Sequence, residues 1–252
     1  MKNKKFTAVI LAAGMGSRLK HLTKNVPKPL IEIAGKTLIA HAIEWSKKLG
    51  ASKIVIVGGY HYEILKEAVY KIDSSVVFVR NDEYATSQRM ESLLCAASEI
   101  EGGLYICDAD YVFDSGLADL IKGNFRGMSI FGVGKDAKGV GLDMMMKTDG
   151  KGNLVTMSKE LTEFDAYFCT QVYFDTEFVT MLLSAGRDLI HEHGDKMVHV
   201  EDALLRLVEK GEKIRFVDVG ESRFVEIDTL DEFEMAKKLV VPADNGVRVN
   251  SL

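Results

Sequence analysis

Apolar and polar positions repeat in two periods along the chain, and the first half uses one arrangement several times. Short runs of aliphatic and β-branched residues at 8–13, 53–57, 76–79 and 103–107 end in Gly, Asp or polar turns and predict buried strands. Between them, Leu38, Ala42, Trp45 and Leu49 recur at helical spacing ahead of Gly50, and further helices are predicted over 61–70 and up to Ile100. This strand–helix rhythm demands right-handed crossovers and a parallel sheet with helices on both faces. Ligands then bind outside the carboxyl ends of the strands. Trp45, the one tryptophan, lies in a helical apolar stripe and is assigned to packing.

From Met128 the pattern shortens. Runs at 128–133, 142–147 and 154–157, with Asp149-Gly150-Lys151-Gly152-Asn153 as a hairpin turn, predict a mixed β elaboration. A strand at 170–174, an amphipathic helix over 176–190 and a helix over 201–207 stopping at Gly211 follow. Strands at 214–217 and 223–229 and a helix over 231–239 complete the predicted elements. No repeat, low-complexity tract or linker divides the 252 residues, which suffice for one substantial core.

Composition narrows the function classes. A chain 47% hydrophobic and 27% charged is globular rather than disordered. Its formal charge of −5 argues against a general nucleic-acid binder, so an anionic ligand must be held by local cations. Cys95, Cys107 and Cys169 lack Cys-x-x-Cys spacing and read as thiols of a reducing compartment, with neither a disulfide framework nor a zinc site. His191 and His193 face different sides of a helix and, like His199, are read as surface residues. The basic start imitates a signal peptide, but the apolar run at 8–13 is too short and runs into a glycine turn. No run reaches a membrane span, and a cytoplasmic protein is expected.

Chemistry concentrates behind the first strand. Gly14 and Gly16 open backbone angles closed to other residues and let main-chain N–H groups approach an anion. Arg18 adds a planar donor fork, and Lys28, between Pro27 and Pro29, a point charge. The set reads as a site for a polyphosphate. A Walker A loop is excluded because Gly-Lys-Ser/Thr is absent. A dinucleotide fingerprint fails at Leu19, where a third glycine belongs, and at the prolines that would break its helix. The fourth strand ends in Asp108-Ala109-Asp110, at the edge where acids hold a hard cation. Near the other end, Glu226 and Asp228 share one face of a strand.

Leu11-Ala12-Ala13-Gly14-x-Gly16-Ser17-Arg18-Leu19 with Pro27-Lys28-Pro29-Leu30 resembles the signature of the nucleotidyltransferases that make sugar nucleotides and CDP-alcohols. The resemblance runs from Phe6 to about Leu239 and is closest to phosphocholine and inositol-phosphate cytidylyltransferases. It implies a Rossmann-like α/β three-layer sandwich of glycosyltransferase-A type, with a mainly parallel central sheet and a small mixed β elaboration. A single domain over 1–241 is expected, with a nucleotide-binding part at 6–126, an acceptor-binding part at 127–229 and a polar tail at 242–252. Asp110 and Asp228 fall where the family keeps its Mg²⁺ ligands, with Asp108 structural.

The resemblance also places Leu11, Ala12, Ala13, Gly14, Gly16 and Ser17 around the nucleotide. The loop from Arg80 to Met90 is similar to a stretch that contacts the base in cytidylyltransferases for phosphocholine and related phosphates. It points to Asn81, Ser87 and Gln88 on the base side and Arg89 near the acceptor phosphate. Phosphocholine enzymes often carry paired Asn where Gln88-Arg89 stand, which leaves the acceptor open. Lys159 is implied as a phosphate partner. Glu163, Asp165 and Tyr167, with Glu226, are implied around a cationic head group or a polyol.

The reaction implied is attack by a phosphate-monoester oxygen on the α-phosphorus of CTP, releasing pyrophosphate. Phosphocholine, 2-aminoethylphosphonate and inositol 1-phosphate are the first acceptors to try. Arg18 and Lys28 would offset charge, and no general base is needed because the nucleophile's second pKa is about 6. A sugar-1-phosphate uridylyl-, thymidylyl- or guanylyltransferase is the same-class alternative. A non-catalytic nucleotide-sensing module and a dinucleotide-dependent oxidoreductase are readings from other classes. The oligomeric state is left open, a homodimer included.

Overall fold

In the computed structural model, residues 5–19, 23, 26–137, 143–220 and 223–239 are described. The tail at 242–252 and the first residue of the strand expected at 142–147 lie outside them. Strand β1 (Phe6–Ala12) is buried at all seven positions. A strand with no polar face needs cover on both sides. The chain supplies it in order: a small hairpin, β2 (Glu32–Ile33) and β3 (Lys36–Thr37), then α1 (Leu38–Leu49), β4 (Lys53–Gly58), α2 (Tyr62–Ile72), β5 (Val77–Arg80) and α3 (Arg89–Cys95). Next come β6 (Gly103–Asp108), β7 (Tyr111–Phe113), α4 (Ala118–Gly123) and β8 (Met128–Gly134). The remainder is β9 (Met145–Thr148), β10 (Leu154–Ser158), β11 (Ala166–Phe174), α5 (Thr176–His193), α6 (Val200–Glu209), β12 (Arg215–Asp218), β13 (Phe224–Glu226) and α7 (Leu230–Leu239).

Parallel pairing runs β5–β4–β1–β6. Strand β11 enters antiparallel to β6, β8 is antiparallel to β11, and β12 is parallel to β8. Strands β9 and β10 hang from the start of β11 as an antiparallel hairpin. The sheet is therefore mainly parallel with a mixed elaboration. Alternate residues of the central strands feed two cores, as the two-residue period of a strand requires. Val9, Leu11, Val55 and Ile106 pack under α3, α5 and α6, whereas Ala8, Ile10, Ile56 and Tyr105 pack under α1, α2 and α4. Trp45 is buried, stacks on Phe113 at 4.8 Å and donates to the Tyr105 hydroxyl at 2.9 Å. Among the described residues, no helix is long and apolar enough to cross a membrane.

Three departures from the sequence reading bear on the site. The helix expected to reach Ile100 stops at Cys95, and its last turn tightens into a 3₁₀ segment at Ala97–Glu99, where Lys53 holds Glu99 at 2.9 Å. The strand expected at 223–229 ends at Glu226 because Thr229 opens α7 with a capping box. The Glu232 carboxylate accepts the N–H groups of Asp228 and Thr229, each at 2.7 Å, and the Thr229 hydroxyl accepts the N–H of Glu232 at 3.3 Å. Strand β7 was not anticipated, being too short to show a period. It pairs antiparallel with β13, Tyr111 opposite Glu226, and the Ile227 N–H donates to the Asp110 carbonyl at 3.0 Å.

That ribbon sets residues 110 and 228 side by side. A third core of Leu19, Ile31, Ile33, Leu38, Val112, Val225, Ile227 and Ala236 fastens it to the loops that carry Arg18 and Lys28. Ile227 is fully buried there. Ile227→Ala should lower unfolding free energy by about 2–5 kcal/mol. Denaturant unfolding measures this, and an unchanged midpoint would show that the third core does not support the ribbon.

Candidate active site

The turn after β1 is shaped around a lysine. Gly16 sits at φ +61°, in the left-handed region. A Cβ there would also stand 2.7 Å from the Cβ of Lys28, so a side chain is excluded on two grounds. The turn is tied to both neighbouring strands: the Ala13 carbonyl accepts from Tyr60 and the Leu11 carbonyl from Ala109, both at 3.0 Å. Pro27, at φ −60°, leads into a single 3₁₀ turn, Lys28–Leu30, in which Lys28 is buried.

Buried, Lys28 needs partners. Its Nζ lies 2.6 Å from Asp110 Oδ2 and 2.8 Å from Asp228 Oδ1. Arg18, two-thirds exposed, closes on the other Asp228 oxygen at 2.7 Å. Glu226 is the third acid: oxygens of Asp110, Glu226 and Asp228 lie within 4.8 Å of one another. Burial alone would lower the Lys28 pKa, but Asp110 and Asp228 together overcome it and keep the ammonium charged. Burial, then the charge of Asp110, pushes the Glu226 carboxyl up to about 9, although the Tyr111 hydroxyl donates to it at 2.6 Å. Two cations therefore face three acids. Asp110 Oδ1 is buried with no hydrogen-bond partner among the described residues.

Beside this cluster opens a cavity of about 610 Å³. Leu11, Ala13, Gly14, Arg18, Ser87 and Gln88 line it, together with Arg89, Asp110, Lys159 and Glu226. Lys28 and Asp228 join its wall through Asp110 and Arg18. Ala12 turns to the opposite core. Asn81 is not in the lining: its amide donates to Ser87 and Ser92 at 3.1 and 3.0 Å, and its carbonyl accepts from Glu83 at 2.9 Å. It shapes the base-side loop from within.

The residues expected around a head group fall elsewhere. Glu163 is exposed and pairs with Lys147 at 3.0 Å, and Asp165 accepts from the N–H of Thr148 at 2.7 Å. Tyr167 packs on Phe164 at 4.9 Å. None of the three lines the cavity. The strand's own alternation is the cause: Phe168 and Thr170 line the cavity, Tyr167 between them packs on the other core, and Glu163 and Asp165 precede the strand. Thr170 takes φ +52°, costly for a β-branched residue. Nothing in the local sequence signals this.

Arg89 lies in the floor, its Nε 3.1 Å from Asp108 and its NH1 2.5 Å from Glu201. Burial pushes Asp108 up to about 7 against the pull of Arg89, with Asp110 and Glu201 acting in the same direction as burial. Glu201, at the start of α6, reads in sequence as an ordinary polar position of a helix. Its partners lie far away in the chain, so the pattern could not show it.

A glycine turn, two cations and three converging carboxylates thus meet at the carboxyl edge of the sheet. Residues 8–130 match the model of the MobA-like NTP transferase domain. The choline-phosphate cytidylyltransferase of Streptococcus pneumoniae is 40% identical over 110 residues, 42% of this chain and 45% of that protein. The match thus spans less than half the length of that relative. The CTP:phosphoglutamine cytidylyltransferase of Campylobacter jejuni is 25% identical over 252 aligned positions, 90% of this chain and 98% of that one. The solved inositol-1-phosphate CTP transferase from T. maritima superposes with a TM-score of 0.80 at 17% identity, over 98% of this chain and all of that one. At that identity the likeness shows the fold, which extends over nearly the whole chain.

Lys28→Met removes the buried cation between two part-buried acids. In chelator, denaturant unfolding should show a loss of about 3–5 kcal/mol, and an unchanged stability would contradict the buried pairing. Thr170→Gly should act in the opposite direction, stabilising by about 1 kcal/mol through relief of the left-handed backbone. A lowered melting temperature would show that the strain lies elsewhere.

Proposed function

We propose that the chain is a CTP-dependent nucleotidyltransferase that transfers CMP to a phosphomonoester or phosphonate and releases pyrophosphate. The observation that carries this reading is the convergence of Arg18 and Lys28 on Asp110 and Asp228 beside the glycine turn. The acceptor oxygen bonds to the α-phosphorus while the bond to the β-phosphate's bridging oxygen breaks, and pyrophosphate departs with that electron pair. Both reactants are anionic, and two unit charges at ~4 Å repel by about 4 kcal/mol at an effective dielectric of 20. The chain answers with fixed positive groups. The Gly14 and Gly16 amides and exposed Arg18 serve the β- and γ-phosphates, and Lys28 offsets charge near the α-phosphate. Ser87 and Gln88 serve the base.

Three converging carboxylates, with a buried Asp110 oxygen that has no hydrogen-bond partner among the described residues, suit a hard divalent ion. Asp110 and Asp228 would hold Mg²⁺, with Glu226 alongside. Bound there it supplies charge neutralisation at the reacting phosphate. No residue need take a proton, since the acceptor phosphate, with a second pKa of about 6, is already ionised near neutrality. Catalysis is then positioning and electrostatics. The lean to cytosine is supported by the cytidylyltransferases among its relatives.

Pyrophosphate release across CTP, UTP, dTTP and GTP, each paired with choline, inositol, aminoalkyl and sugar phosphates, tests the proposal. Turnover is expected with CTP and Mg²⁺. Turnover confined to another triphosphate with a sugar 1-phosphate would move the protein to the alternative transferases, and tight CTP binding with no turnover would make it a nucleotide sensor. Asp110→Asn should abolish Mg²⁺-dependent turnover with the fold retained by circular dichroism. A near-wild-type rate would remove Asp110 from the site.

A further inference from the structure

The cavity has two ends of different charge. The end at the glycine turn carries Arg18 and, through Asp110, Lys28. At the other end, between β10, β11 and the start of α6, Asp108, Asp143, Glu160, Glu201 and Asp202 face the two cations Arg89 and Lys159. Pairing leaves this wall negative. Lys159 is taken by Asp143, and one guanidinium serves both Asp108 and Glu201. Asp202 accepts only the N–H of His199, at 2.7 Å, and Glu160 has no ion pair among the described residues.

Glu201 singles out the point of contact. Its side chain is nine-tenths buried, and Arg89 binds Oε1. Oε2 is buried with no hydrogen-bond partner among the described residues, and Glu201 lines the cavity. An ionised oxygen left without a donor in a poorly solvated place is unfavourable unless a ligand provides the donor. An acceptor of the proposed reaction brings a dianionic phosphate, so its remaining part must bring the donor: a hydroxyl supplies a hydrogen bond alone, whereas an ammonium adds charge that the negative wall favours. A quaternary ammonium has no N–H to give and is held by aromatic faces. Such faces are lacking at this end among the described residues. Tyr84 packs by Gly59 near the glycine turn, Tyr111 is bonded to Glu226, and Phe168 alone remains, 3% exposed.

We propose that Glu201 is the residue that selects the acceptor, binding a primary ammonium group on an aminoalkyl phosphate or phosphonate. Arg89 is then a positioning residue that fixes the Glu201 carboxylate, rather than a phosphate ligand. This rests on the transferase reading above and deepens it.

The test is initial-rate kinetics at saturating CTP and Mg²⁺ with 2-aminoethylphosphonate, phosphoethanolamine, phosphocholine and inositol 1-phosphate. Wild type should favour the two amino acceptors in kcat/KM by about tenfold or more, the size of one hydrogen bond to a charged group. Glu201→Gln, which keeps shape and removes charge, should raise KM for the amino acceptors by about tenfold while moving kcat little, and erase their preference. Should that variant fail to fold, Glu201→Asp keeps the charge and should keep the preference with a raised KM. Preferred turnover of phosphocholine or inositol 1-phosphate overturns this inference and leaves the transferase standing. So does an unchanged preference in Glu201→Gln, or a lost one in Glu201→Asp. No turnover with any acceptor overturns both.

Discussion

A single ammonium lodged between two aspartates is the constraint on which the site depends. Without Lys28, the carboxylates of Asp110 and Asp228 would repel across a short gap with limited solvent, and ordinary folding offers no reason to hold them there. The chain builds around that cation. Gly16 lacks a side chain because Lys28 passes under it, and Pro27 presets the turn that delivers it. The β7–β13 ribbon then sets the two acids at adjacent positions of one small sheet. The third core matters because it locks that ribbon to the loops bearing the cations.

This arrangement explains why the cluster is both buried and highly charged. Cations and acids nearly balance, and burial with the charge of Asp110 pushes the third carboxyl, Glu226, upward. A divalent ion with a triphosphate carries charges that the same side chains can exchange for their present partners. The site is thus an ion-pair network whose members are the groups that phosphoryl-transfer electrostatics requires. The strain at Thr170 and the idle oxygens of Asp110 and Glu201 lie along the same cavity, where local rules are broken for a ligand's sake.

What the sequence made legible was local. The run into Gly14 and Gly16, the proline-flanked Lys28 and the acids at strand ends are each readable within a few residues, and the structure brings their side chains together. The alternation of strand and helix likewise carried the parallel pairing of the first half, though not the order of its strands. What escaped depended on where a strand begins and which way it faces, or on distance. Glu163 and Asp165 fall outside the cavity because they precede β11, and Tyr167 because it alternates with the cavity-lining Phe168. Asn81 turned inward to shape its own loop. Glu201 became visible only when α6 packed across from Arg89, and β7 was too short to show a period at all.

The most direct test of the central claim is anomalous diffraction from crystals grown with Mn²⁺ and a non-hydrolysable CTP analogue. We expect a manganese peak bounded by Asp110 and Asp228, with the triphosphate against the Gly14–Gly16 turn and Lys28 in contact with it. A peak remote from both aspartates, or a triphosphate bound away from that turn, would contradict the account.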